Sequence, residues 1–187
     1  MEQIRTLPLR VAPADGESLH SWLLRLALRN GIPLLRLAAV LGLRDRLKVP
    51  HNYALSWRIP AELLRRIENQ TGLPPGRLDA AMLDPFDMLG WKPLPGSRYC
   101  TTCLKESGGI WQVRWQLPYS FACRKHGKLL TAVCPGCGRA PHGTDCPCVL
   151  VSHPQPPASW AREEKHGHAT PTCSATPHTC CTTTTSA

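Results

Sequence analysis

Eight residues between Cys100 and Cys148 have the types and spacing to bind metal. They fall in four short pairs: Cys100-x2-Cys103, Cys123-x2-His126, Cys134-x2-Cys137 and Cys146-x-Cys148. A Cys-x2-Cys turn offers two thiolates to one ion, and a second pair from elsewhere in the chain completes a tetrahedron. Four such pairs in about fifty residues predict two structural zinc ions. The most local pairing puts Cys100, Cys103, Cys123 and His126 on one ion, and Cys134, Cys137, Cys146 and Cys148 on the other. A crossed pairing satisfies the same spacing. Either way each ion receives four protein ligands and keeps no open position for water, so the sites belong to a scaffold.

The rest of the sequence makes no positive case for catalysis. It contains no His-Glu-x-x-His run and no deaminase His-x-Glu pattern. Gly108-Gly109 lacks the Lys-Ser/Thr of a phosphate-binding loop. Glu106 is the only acidic residue between the first and third ligands, and Asp79, Asp84 and Asp87 are scattered. The expectation is a non-enzyme with no small-molecule substrate.

The elements that must position the ligands precede them. A lead-in, Leu7 to Pro13, is kept extended by its prolines. A helix is predicted from Asp15, as N-cap, to a stop at Asn30-Gly31, with Glu17 in its first turn. Its apolar stripe is Leu19, Trp22, Leu23, Leu26 and Ala27. A second helix runs from Pro33 to Gly42 over Leu34, Leu37, Ala38 and Leu41. The two form a helix-turn-helix candidate, although any small helical bundle uses the same device. A third helix, Pro60 to Thr71, turns Leu63, Leu64 and Ile67 inward, and a short fourth follows Pro74 or Pro75 with Leu78 and Met82. Tyr53 and Trp57 are expected to pack onto the helices. The alternation of Trp111, Val113, Trp115 and Leu117 reads as a half-buried strand, with a helical turn also compatible, and the two tryptophans are expected to cover the metal.

The predicted fold class is therefore mainly α with an irregular zinc-finger region. A helix-turn-helix-like helical domain (1–97) precedes tandem zinc fingers with short β segments (98–151). A low-complexity tail (152–187), rich in Pro, Thr and Ser and poor in large aliphatics, is expected to be disordered.

Formal charge is +9, shared as +5 over 1–99 and +4 over 100–151, which favours a polyanionic partner, DNA. A basic surface kept for solubility is the plainer reading. The candidate nucleic-acid contacts are Arg36, Arg44, Arg46, Lys48, Arg65 and Arg66. Ten cysteines could mark a secreted disulfide scaffold, but Met1 to Arg10 has no hydrophobic signal core and no apolar run is long enough for a bilayer. The expected setting is cytoplasmic, without a membrane partner.

Several runs together resemble one family: Leu7-Pro8-Leu9, Gly16-Glu17-Ser18-Leu19-His20-Ser21-Trp22-Leu23, Arg98-Tyr99-Cys100-Thr-Thr-Cys103-Leu104, Trp115-Gln116-Leu117, Cys123-Arg-Lys-His126-Gly127 and Cys134-Pro-Gly-Cys137-Gly138. In this order they resemble TniQ/TnsD-type transposition proteins, the target-selection helpers of bacterial transposons. The resemblance implies a helix-turn-helix region and tandem zinc fingers. It also implies target-DNA recognition and recruitment of an AAA+ ATPase that engages a separate transposase. Two alternatives fit the same residues: a module that binds transposition partners without touching DNA, and a truncated remnant of such a gene. The family pattern differs here in its last ligand pair, Cys-x-Cys, and in the Pro/Thr-rich tail.

Overall fold

A computed structural model describes residues 7–47, 55–87, 90, 92–94 and 96–134. Lys48, Tyr53, the ligands beyond Cys134 and the predicted disordered tail lie outside the described residues. Helices dominate: α1 (Leu19–Arg29), α2 (Leu34–Val40), α3 (Arg44–Leu47), α4 (Ala61–Thr71), α5 (Asp84–Asp87) and α6 (Thr101–Ser107). The described strands form one antiparallel hairpin, β1 (Ala122–Cys123) with β2 (Lys128–Leu129), in the register Ala122 to Leu129 and Cys123 to Lys128. Among the described residues no helix is long and apolar enough to cross a membrane.

The first core forms because apolar residues recur at helical spacing. Leu19, Trp22, Leu23 and Leu26 of α1 are fully buried, and they cluster with Leu37, Ala38 and Leu41 of the α2 region and Leu64 and Ile67 of α4. The lead-in is strapped over this core: the Trp22 indole Nε1–H donates to the Val11 carbonyl at 2.8 Å, and the Leu7 N–H donates to the Gln70 carbonyl at 3.1 Å. Gly72 ends α4 in the left-handed conformation, φ 70°, which suits a residue without Cβ.

Three local expectations need correction. Helix α1 does not begin at Asp15. Gly16 has φ 68°, outside any right-handed helix, so the helix starts after Ser18, whose Oγ accepts the Ser21 N–H at 3.3 Å. Glu17 is consequently not in the first turn. The fourth helix is only a 3-10 turn, Asp79–Ala81. The Gly76 and Leu78 N–H groups that a helix from Pro74 would use internally donate instead to the buried Glu68 carboxylate, at 3.0 and 2.8 Å. The expected strand at 111–117 makes one bridge, Glu17 to Gln112, and then winds into a 3-10 turn, Val113–Gln116. The apolar alternation survives as burial on two sides: Trp115 joins the cysteine cluster, while Val113 and Leu117 pack with Leu83. A flat strand would have sent all three to one face. Sequence reading also missed α3, α5 and α6, each no longer than seven residues.

The two cores meet at Glu17. Its side chain is fully buried, and Oε1 accepts from the Ser21 hydroxyl (2.8 Å) and Arg25 Nε (2.8 Å). Oε2 accepts from Arg25 Nη2 (2.6 Å) and the Ala14 N–H (2.9 Å). The Ser21 hydroxyl oxygen in turn accepts the Trp111 N–H at 3.1 Å. On either side the Ser18 N–H donates to the Trp111 carbonyl and the Val113 N–H to the Gly16 carbonyl, both at 2.8 Å. At Gly16 it is the positive φ that favours glycine, since an added Cβ would meet only the movable end of the Gln112 side chain.

Replacing Glu17 by Ala takes the carboxylate partner from Arg25, the Ser21 hydroxyl and the Ala14 N–H and leaves a void. It is expected to cost about 2–4 kcal/mol of unfolding free energy, whereas Glu62→Ala on the exposed face of α4 should stay within about 0.5 kcal/mol. Urea unfolding of the two variants checks this, and equal small effects would remove Glu17 from the junction's support.

Candidate metal centre

Four donor residues converge in the second cluster. Cys100 is the N-cap residue of α6 and Cys103 sits in its first turn, so one short helix presents both thiols. Cys123 ends β1, and the turn to β2 carries His126, tied by the Gly127 N–H to the Cys123 carbonyl at 2.8 Å. The Tyr99–Thr131 bridge, two hydrogen bonds of 2.9 Å, pins the start of α6 to the exit from the hairpin. The first pair is thereby held against the second across nineteen intervening residues.

His126 Nδ1 lies 3.4 Å from Cys100 Sγ, 3.3 Å from Cys103 Sγ and 3.5 Å from Cys123 Sγ, and Cys103 and Cys123 Sγ are 3.5 Å apart. All four donor atoms lie within 4.8 Å of one another. A tetrahedral zinc with bonds of about 2.3 Å to sulfur and 2.0 Å to nitrogen spaces its ligand atoms about 3.5–3.8 Å apart. The residues therefore fit such an ion with little movement, and four protein donors would fill its coordination shell. Cys134 is buried in the same apolar cluster, but it does not join these four. Cys137, Cys146 and Cys148 lie outside the described residues.

The thiols differ in acidity. Burial first, then hydrogen bonds with Cys123 and Cys100, pushes the Cys103 thiol up to about 12. Burial also acts to raise Cys123, but hydrogen bonds from the His126 backbone, Cys103 and the His126 ring outweigh it and hold that thiol down to about 6. Thiolate is the ligating form, so a soft cation bound here would displace thiol protons.

Outside the donors, the Glu106 carboxylate joins two partners. Its Oε2 accepts from Lys125 Nζ at 2.6 Å and its Oε1 lies 3.2 Å from His126 Nε2. The Lys125 hydrogen bond is the main reason the Glu106 carboxyl stays below the usual carboxylate range, with His126 adding to it, and the same contact raises Lys125. Sequence reading passed over Glu106. The available signal was its place three residues after Cys103, which on a helix puts both on one side. The tryptophans do lie with the ligands: Trp111 and Trp115 stack edge-on, centroids 5.9 Å apart, in the cluster that holds Cys100 and Cys123.

The described candidate nucleic-acid residues differ in their surroundings. Arg36 and Arg44 are exposed. Arg66 is exposed too, with its guanidinium lying over Gly42 at the end of α2. Arg46 faces inward, donating to the Trp57 and Arg58 carbonyls at 2.9 and 2.6 Å. Arg65 pairs with the buried Glu68 carboxylate at 2.8 Å and with Asp79. Near Arg46, Arg58 adopts a left-handed backbone, φ 53°, with its N–H donating to Asp84 Oδ1 at 2.9 Å.

A small helical core packed beside a Cys3His quartet defines the class of molecule: a mainly helical protein with a candidate metal centre. The TniQ family model matches residues 8–130, which span both cores and all four donors, and the chain belongs to that family. Membership gives it a role in transposition. No curated protein matches the chain.

Replacing Cys103 by Ser is expected to remove one bound zinc per chain, read by elemental analysis, and to shift tryptophan emission because Trp111 and Trp115 lie beside the donors. Unchanged zinc content would count against a metal at this quartet.

Proposed function

We propose that the chain is a zinc-stabilised DNA-binding adaptor of transposition, which helps select the target site and recruits an AAA+ ATPase that engages a separate transposase. The observation that carries this reading is the TniQ match across the helical core and the metal centre together. Zinc at Cys100, Cys103, Cys123 and His126 would hold the second core in shape. A second structural zinc at Cys134, Cys137, Cys146 and Cys148 completes the reading. Neither ion is assigned a chemical step.

For DNA, the reading uses α1, the turn at 30–33 and α2 as a helix-turn-helix, with exposed Arg36, Arg44 and Arg66 on phosphates, and keeps Lys48 as a candidate from the sequence alone. Arg46 and Arg65 have internal partners, so we place them in the scaffold that carries the contacts. The net charge of +9 supports a polyanionic partner.

A second reading, docking on protein partners without DNA, is favoured by one observation. Phe121, Leu129 and Val133, around the metal-bearing hairpin, are 64, 78 and 51% exposed. Apolar side chains grouped this way suit a protein contact.

Duplex-DNA titrations separate the two. About five phosphate contacts would give a slope of log affinity against log salt near −4 to −5. Arg36→Gln, Arg44→Gln and Arg66→Gln should each weaken binding uniformly across sequences and flatten the slope by about 1. Arg46→Gln and Arg65→Gln should lower thermal stability more than they change the slope. Absence of any low-salt gel shift, with capture of the ATPase retained by the wild-type chain and lost on Leu129→Ser, would favour the protein-docking reading.

A further inference from the structure

We propose that Glu106 is the positioning residue of the metal centre, an outer-shell carboxylate that fixes the His126 ring so that Nδ1 faces the three thiols. The inference rests on the metal reading of Cys100, Cys103, Cys123 and His126. Its geometry is local and asymmetric. All three sulfurs lie within 3.5 Å of Nδ1, while Glu106 Oε1 lies 3.2 Å from Nε2, on the other side of the ring. A metal on Nδ1 leaves the ring hydrogen on Nε2, and the carboxylate is the acceptor waiting for it.

Two features make Glu106 more than a passing surface charge. It is carried by α6, the same helix that presents Cys100 and Cys103, and it reaches His126 on the hairpin turn. The contact therefore spans the two ligand pairs and helps hold one against the other. Lys125, the residue before His126, grips the second carboxylate oxygen at 2.6 Å, which fixes the direction of the first. It also balances the negative charge that a carboxylate would otherwise add beside three thiolates. Ligating histidines ordinarily have such an acceptor on their second nitrogen, and its loss costs about 10–100-fold in metal affinity. Glu106 and Lys125 are 46 and 65% exposed, so water can partly replace them, and the lower end of that range is the expected effect.

The test uses the full chain. Cadmium-113 NMR distinguishes a three-sulfur, one-nitrogen site from a four-sulfur site, so chelator competition can be followed at this centre alone. Nitrogen-15 spectra of the imidazoles report the His126 tautomer. Glu106→Ala should weaken cadmium binding at the three-sulfur, one-nitrogen site by about tenfold and leave His126 without a single fixed tautomer. Glu106→Gln, whose amide oxygen still accepts from Nε2–H, should recover most of both. Lys125→Ala should keep the tautomer and lose less affinity than Glu106→Ala. Unchanged affinity and an unchanged tautomer in Glu106→Ala would overturn the proposal and leave the metal reading standing. Absence of a three-sulfur, one-nitrogen resonance in the unmutated chain would overturn the metal reading and the proposal with it.

Discussion

A buried carboxylate cannot stay charged in an apolar core unless every lone pair facing inward is met by a donor. Glu17 draws its donors from three places: the lead-in at Ala14, the first turn of α1 at Ser21, and the middle of that helix at Arg25. Because the Ser21 hydroxyl is used as donor to Glu17, its oxygen is free to accept the Trp111 N–H. One carboxylate thus sets the proton orientation of the hydroxyl that receives the second core. The helical part and the cysteine-bearing part are joined by a chain of directional bonds as well as by apolar contact, and that fixes their mutual register.

This placement couples the metal centre to α1. Trp111 and Trp115 come between the two ligand pairs in sequence and pack among the ligands in space. The backbone of the same segment is bonded to Gly16 and Ser18. An ion held by Cys100, Cys103, Cys123 and His126 would clamp the ends of the loop containing both tryptophans. The chain's few aliphatic residues in that region, Leu104 and Leu130 among them, would leave a marginal core without it. The small Leu83, Val113 and Leu117 cluster then seals the side of the junction away from the metal.

What the sequence made legible follows from the reach of each signal. Period-3.6 stripes located α1, α2 and α4: Leu19 to Ala27 repeats over two turns, and Leu63, Leu64 and Ile67 mark one face of α4. Cys-x2-Cys and Cys-x2-His named four donors that the structure brings together. The errors sit where a tertiary partner replaced a local one. Glu68 took the N–H groups of 76 and 78 away from a fourth helix, and Gly16, bent to meet Val113, moved the start of α1 to Ser18. Arg46 and Arg65 looked like free cations because a sequence does not display the carbonyls and the carboxylate they meet. Helix α6 was missed because it buries only Leu104 and so shows no apolar stripe, whereas α2, equally short, repeats leucine and alanine at helical spacing.

The same distinction sharpens what the Gly16-Glu17-Ser18 run is for. As a string it invites a functional reading, since polar residues at the head of a helix can face a ligand. In the fold none of the three is available for one. Glu17 and Ser18 are buried, the Ser18 hydroxyl caps α1, and the Gly16 carbonyl is bonded to Val113. On the DNA reading proposed above, phosphate contacts would come from side chains on α2 and the residues that follow it, and not from the motif itself. The physical role of the run is structural: its bonds to Trp111 and Val113 fix where α1 begins.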